Sequence, residues 1–127
     1  MPAEHPNHIE DLIVVGAGPT GIAIGAEAAK NGLSALLIDR GALTQNILDF
    51  PTYMIFFTTR DKLEIANVPM SIPWDKPTRQ DALAYYRAVA ATYKLRTAYH
   101  EEVLGVVRDG GTFRVTTATE RGTTERR

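Results

Sequence analysis

The feature that most constrains this chain is a short glycine-rich turn set between strongly apolar segments. Asp11-Leu12-Ile13-Val14-Val15 is rich in β-branched residues, the composition of a strand buried on both faces. It stops at Gly16-Ala17-Gly18-Pro19-Thr20-Gly21. Ile22 to Asn31 is then alanine-rich and apolar, predicting a helix that ends at Gly32. Ser34 to Asp39 reads as a second buried strand. Strand, helix and strand within about 30 residues form a βαβ unit, which requires parallel pairing and a right-handed crossover.

Three glycines at this spacing arise by chance easily, but a buried strand before them and a helix after them supply the right context. Gly16 permits the tight turn, Gly18 lets a diphosphate approach without meeting a Cβ, and Gly21 lets helix and strand pack closely. The open N–H groups of the helix start then face the phosphates. Asp39 ends the second strand 21 positions past Gly18, close to the spacing of about 20 at which a carboxylate accepts bonds from a ribose diol. The pair points to an adenine dinucleotide and disfavours a 2′-phosphate. It leaves FAD and NAD both open.

The other segments add an architecture but little chemistry. With 127 residues, 44% hydrophobic and 23% charged, the chain has the size and composition of one ordered domain. A net charge of −1 gives no bulk attraction to nucleic acid, and no apolar run reaches the roughly 18 residues of a membrane span. There is no cysteine, hence no thiol redox centre in these residues. The polar start lacks the pattern of a secretory signal, so the expected location is cytoplasmic.

Residues 1–9 read as a disordered N-terminal extension and 10–127 as the structured part. Between Arg40 and Pro77 the pattern weakens, with Tyr53 to Phe57 a short strand or packed loop. Thr78-Arg79-Gln80-Asp81 fits a capping box, and Leu83, Tyr86, Val89, Ala90 and Tyr93 form one helical face. Arg96 to Tyr99, Val103 to Arg108 and Thr112 to Thr117 read as strands, with Asp109-Gly110-Gly111 as a hairpin turn. Thr119 to Arg127 reads as a polar tail. The expected fold is therefore α/β: a Rossmann-like βαβ unit with a parallel sheet and an added antiparallel hairpin, stopping short of a complete domain.

Other residues carry bland readings. The tyrosines Tyr85, Tyr86 and Tyr93 belong to a core stripe, and Trp74 anchors a loop. His5, His8 and His100 are too scattered for a metal set. Arg60, Arg79, Arg87 and Arg96 are read as a solvated face rather than a nucleic-acid stripe.

The segment LIVVGAGPTGIAIG (Leu12 to Gly25) resembles the N-terminal FAD-binding portion of thioredoxin reductases and flavin monooxygenases. With QNILDFPTYMIFFTTRDKLEIANVPM and KPTRQDALAYYRAVAATYKLR, it is more similar to the bacillithiol disulfide reductase-like family. The resemblance implies that the turn from Gly16 through Gly18, Pro19 and Thr20 to Gly21 holds the FAD diphosphate and that Asp39 holds the adenosine ribose. It implies that Arg40 borders the adenine end, Gln45 and Asn46 lie toward the flavin, and the backbone of Val103 meets the adenine. No catalytic residue is assigned. Members of that family commonly carry a cysteine where this chain has Thr20, which puts disulfide reduction through an enzyme thiol in doubt. They also run to two domains, so NADPH or NADH is expected only in a complete protein, as are a small-molecule or disulfide electron acceptor and a homodimer. A flavin monooxygenase-like protein, a non-catalytic dinucleotide-binding or redox-sensing module, and an inactive fragment are the alternatives.

Overall fold

The computed structural model describes residues 8–127, so the expected extension is described only at His8 and Ile9. Strands β1 (Leu12–Val15) and β2 (Ala35–Ile38) pair in parallel, Leu12 beside Ala35 and Val15 beside Ile38. Helix α1 (Pro19–Lys30) joins them. It begins three residues before the apolar pattern does, because a proline at the first helical position surrenders an N–H that has no helical partner there. Later in the chain, β3 (Arg96–Ala98) pairs in parallel with the other edge of β2, giving the order β1-β2-β3. The central place of β2 explains why Leu36, Leu37 and Ile38 are almost wholly buried.

Helix α4 (Arg79–Thr92) packs beside α1, which lies on this sheet. Its capping box is present: Asp81 N–H donates to Thr78 Oγ1 at 3.2 Å, and Thr78 N–H donates to the Asp81 carboxylate at 2.9 Å. Trp74 Nε1–H donates to the same carboxylate at 2.8 Å, which makes it the loop anchor expected. Tyr85, Tyr86 and Val89 enter a core with Val14, Ile22 and Leu37. Burial pushes the Tyr86 phenol up to about 12. The tyrosine hydroxyls also pin the preceding loop: Tyr86 donates to Leu63 O at 2.9 Å, Tyr85 to Val68 O at 2.6 Å and Tyr93 to Ala66 O at 3.2 Å.

That loop holds two helices of four residues, α2 (Gln45–Leu48) and α3 (Arg60–Leu63), too short to impose a period on the sequence. Tyr53 to Phe57 is an extended loop making a single antiparallel bridge, Ile55 to Thr78. The solvated-face reading of the arginines is corrected for Arg60 and Arg79, which are partly buried, while Arg96 is exposed as expected and carries an ion pair. Arg60 donates to the Ile72 carbonyl, Arg79 Nη2 to Leu48 O at 2.9 Å, and Arg96 Nη1 to Glu10 Oε1 at 2.6 Å. Each cation meets a carbonyl or carboxylate distant in sequence, which local pattern does not reveal. Arg87 is exposed.

The remaining residues form β4 (Glu102–Asp109), β5 (Thr112–Thr119) and β6 (Gly122–Arg126), antiparallel in the order β4-β5-β6. The hairpin at Asp109 to Gly111 is as expected. The polar tail is not, because Val115 to Thr119 pair with Arg126 to Gly122 and turn the hairpin into a three-stranded sheet. β6 bears Thr123, Thr124 and Glu125, exposed residues without apolar alternation, so its pairing rests on the ladder and on ion pairs of Glu125 with Arg114 and of Arg126 with Glu101.

Two glycines of α1 fit differently. A Cβ on Gly21 would lie 2.1 Å from the Gly16 carbonyl oxygen, whereas on Gly25 it would meet the Leu37 Cδ1 methyl at 2.9 Å. Gly21→Ala is expected to cost about 2–3 kcal/mol through backbone displacement. Gly25→Ala should come out within about 1 kcal/mol of wild type, since the helix propensity of alanine offsets the side-chain shift. Urea unfolding midpoints measure both.

Candidate functional site

The glycine turn is built by β2 as much as by its own residues. Gly16, at φ +113°, donates its N–H to Ile38 O at 2.7 Å. The next N–H, of Ala17, donates to Asp39 Oδ2 at 2.8 Å, and Asp39 Oδ1 accepts from Gly41 N–H at 2.7 Å. Thr44 N–H donates to Ala17 O at 2.9 Å. The turn and the loop after β2 are thus clasped by one half-buried carboxylate. Nothing lies within 4 Å of a Cβ built on Gly16 or Gly18, so the outer side of the turn is an open cradle. Gly18 caps α1, and among the described residues no side chain bonds there. The first-turn N–H groups of Thr20 and Gly21 precede the first helical bond, from Ile22 N–H to Gly18 O at 2.9 Å, and face outward with the positive end of the helix dipole.

The cradle opens onto a cleft of about 410 Å³, within the range of small-molecule sites. Of the ten residues expected from sequence, Gly16, Gly18, Asp39, Arg40, Gln45, Asn46 and Val103 line it. Gly21 is buried beneath the turn. Pro19 and Thr20 instead border a second cleft of about 470 Å³ on the other side of the helix start, and Asn46 borders both. Gln45 organises its own loop, accepting from Ala42 N–H and donating to Asp49 Oδ1, each at 3.0 Å. Val103 pairs with Thr117 just before a β-bulge at Leu104, a device that bends a strand next to a site.

One wall of the first cleft was missed in sequence. Glu101 lies there, its side chain only 6% exposed, with Arg126 Nε and Nη2 donating to its two oxygens at 2.8 and 3.0 Å. Thr117 Oγ1–H adds a third bond. The Glu101 backbone N–H donates to Asp39 O at 3.0 Å, so the Glu101–Arg126 pair ties the antiparallel sheet to the end of β2. The Arg126 hydrogen bonds, against the opposing effect of burial and with help from Thr117, hold the carboxyl below its ordinary 4.5. No local signal marked the pair, because its members stand 25 positions apart.

The second cleft is apolar, walled by Ile47, Phe50, Phe56, Leu63, Ile65 and Tyr86. Among the described residues no group of three His, Asp or Glu side chains could hold a metal ion, and no helix is long and apolar enough to cross a membrane.

Residues 13–126 match the family model described as pyridine nucleotide-disulphide oxidoreductase. The chain belongs to this family. The segment is 38% identical over 80 residues to bacilliredoxin reductase Bdr of Bacillus subtilis, covering 63% of this chain and 25% of that protein. It superposes on the bacillithiol disulfide reductase Bdr of Bacillus cereus with a TM-score of 0.88 at 35% identity, over 94% of this chain and 37% of that one. A flavin monooxygenase of Stenotrophomonas maltophilia shares the fold, with a TM-score of 0.80 at 24% identity over 91% of this chain and 34% of that one. This oxidoreductase segment thus has a Bdr-like Rossmann arrangement and spans about a quarter of the length of the curated relative named.

The buried pair gives the segment an acid limb. A carboxylate with a depressed folded value stabilises the fold above its unfolded value, and that stability is lost as pH falls through the folded one. Wild type is therefore expected to lose stability progressively below about pH 4.5. Glu101→Gln should flatten that decline and be about 3 kcal/mol less stable at neutral pH, because the Arg126 guanidinium loses its buried carboxylate. Urea titrations across pH 3 to 7 test this.

Proposed function

We propose that this chain is the FAD-binding part of an NAD(P)H-dependent flavin oxidoreductase of the disulfide-reductase kind. The observation that carries the reading is the open cradle at Gly16 and Gly18, clasped by Asp39 and continuous with a cleft on the adenosine side and an apolar cleft on the other. A dinucleotide is long enough in chemistry to need both: a sugar and a base that want hydrogen bonds, a diphosphate that wants N–H groups, and a ring that wants apolar walls. The clefts meet at Asn46 and the start of α1.

In this reading the N–H groups of Gly18, Thr20 and Gly21 hold the diphosphate. Each Asp39 oxygen has taken one backbone N–H, and a carboxylate has about four acceptor sites, so two remain for the ribose hydroxyls. Val103 meets the adenine along its strand, and Arg40, exposed at the rim, borders it. Thr20, Asn46 and the apolar wall of the second cleft orient the ring and exclude water from one side. When bound, FAD supplies a ring that takes a hydride from a reduced nicotinamide and passes electrons to an acceptor. A disulfide is the acceptor class suggested by the Bdr relatives' names. With no cysteine in these 127 residues, this segment provides no thiol relay. A cytoplasmic location accords with this chemistry.

Gly18→Leu tests the assignment in the full-length protein. The substituted position has space around it and an ordinary φ of −82°, so the loss of an N-cap glycine should lower stability by only about 1 kcal/mol. The side chain would occupy the diphosphate position, and FAD affinity should fall at least about 100-fold, some 2.7 kcal/mol. Retained flavin absorbance in the purified variant would overturn the reading. Oxygen insertion without disulfide turnover would move it toward the monooxygenases.

A further inference from the structure

The second cleft is apolar except for one charge. Among the described residues that line it, Lys62 alone is ionic. It sits in α3, whose backbone is fixed from both ends: Arg60 N–H donates to Asp75 O at 2.8 Å, and the Leu63 carbonyl accepts from the Tyr86 hydroxyl at 2.9 Å. The other cation of the helix, Arg60, is committed to the Ile72 carbonyl. Neighbouring Asp61 has its carboxyl lowered chiefly by the Thr59 hydroxyl, with Lys62 a smaller cause. Lys62 makes no ion pair with a described residue, and its side chain borders the cleft beside Leu63 and Phe56. Lys62 is exposed at the rim of the cleft, and its ammonium acts on whatever fills the cleft through water on one side and the apolar walls on the other.

We propose that Lys62 sets the charge felt by a redox ring seated in the second cleft, favouring the ring after reduction. This rests on the FAD reading above. A hydride from a reduced nicotinamide brings two electrons and one proton to a neutral isoalloxazine, leaving the nicotinamide oxidised and the ring with one negative charge. Lys62 donates no proton to the step; the charge of its ammonium makes the reduced side of that equilibrium more favourable. Tuning of this kind is one of the protein's levers on a cofactor that carries out the chemistry itself. Lys62 is therefore a tuning residue for electron transfer, acting from the rim as the one ionic side chain lining an otherwise apolar cleft.

The test is the midpoint potential of the bound flavin in the full-length protein, measured by dye equilibration in wild type, Lys62→Arg, Lys62→Gln and Lys62→Glu. Lys62 is exposed, so flavin content and unfolding midpoints are expected to match wild type in all four proteins. Lys62→Gln should lower the equilibrium constant for two-electron reduction about tenfold, a fall of about 30 mV. Lys62→Glu should fall further, and Lys62→Arg should stay near wild type. A merely structural lysine would not order the potentials by charge. Unchanged potentials in the Gln and Glu variants with flavin retained overturn this assignment alone, and so does loss of flavin from Lys62→Gln, which would make the residue a binding group. Absence of flavin from wild type overturns the FAD reading and this assignment with it.

Discussion

The two bonds to the Asp39 carboxylate are the interaction on which the rest of this structure depends. A turn that must expose its N–H groups cannot be held by side chains of its own, and fixing each residue of it costs about 1–2 kcal/mol of conformational entropy. Hydrogen bonds to a charged group contribute about 1.5–3 kcal/mol each, so two of them, to Ala17 and Gly41 N–H, offset much of that ordering. They also fix the turn relative to the loop carrying Gln45 and Asn46. The same oxygens keep acceptor capacity on the cleft side, so one carboxylate both shapes the cradle and faces what would enter it.

Around this clasp the fold places two walls of different character. The polar wall is carried by the antiparallel sheet, which reaches the cleft through Glu101 and its pairing with Arg126. The apolar wall is carried by α2 and α3, whose sequence has no period of its own. The latter is stabilised from outside, through the phenols of α4 that bond carbonyls at Leu63, Ala66 and Val68. The tyrosine stripe therefore serves the core with its rings and the site with its hydroxyl groups. Family membership accounts for the arrangement without fixing the chemistry, because related oxidoreductases and monooxygenases share it.

The parts of the fold legible in sequence are those written in local patterns. The βαβ unit was visible because β-branched runs and small residues each have a direct backbone cause, whereas the helix start at Pro19 lay outside the apolar pattern. The capping box at Thr78 and Asp81 and the turn at Gly110 were visible for the same reason. Strand β6 was not, since Thr123 to Arg126 has neither alternation nor apolar content and is held by its neighbour's backbone. Arg60 and Arg79 were misread because their partners are carbonyls of distant loops. At the site, seven of the expected residues share the first cleft, but sequence did not show that Thr20 and Pro19 turn toward a second one. Nor could it show Glu101, whose partner arrives from the far end of the chain.

The central claim is that the clasped turn cups a diphosphate. A crystal structure of the full-length protein with its nucleotide tests this most directly. The account expects diphosphate oxygens within about 3 Å of the Gly18 and Thr20 nitrogens, with ribose hydroxyls on the Asp39 carboxylate. A diphosphate bound elsewhere, with the Gly16 to Gly21 backbone facing only water, would contradict it.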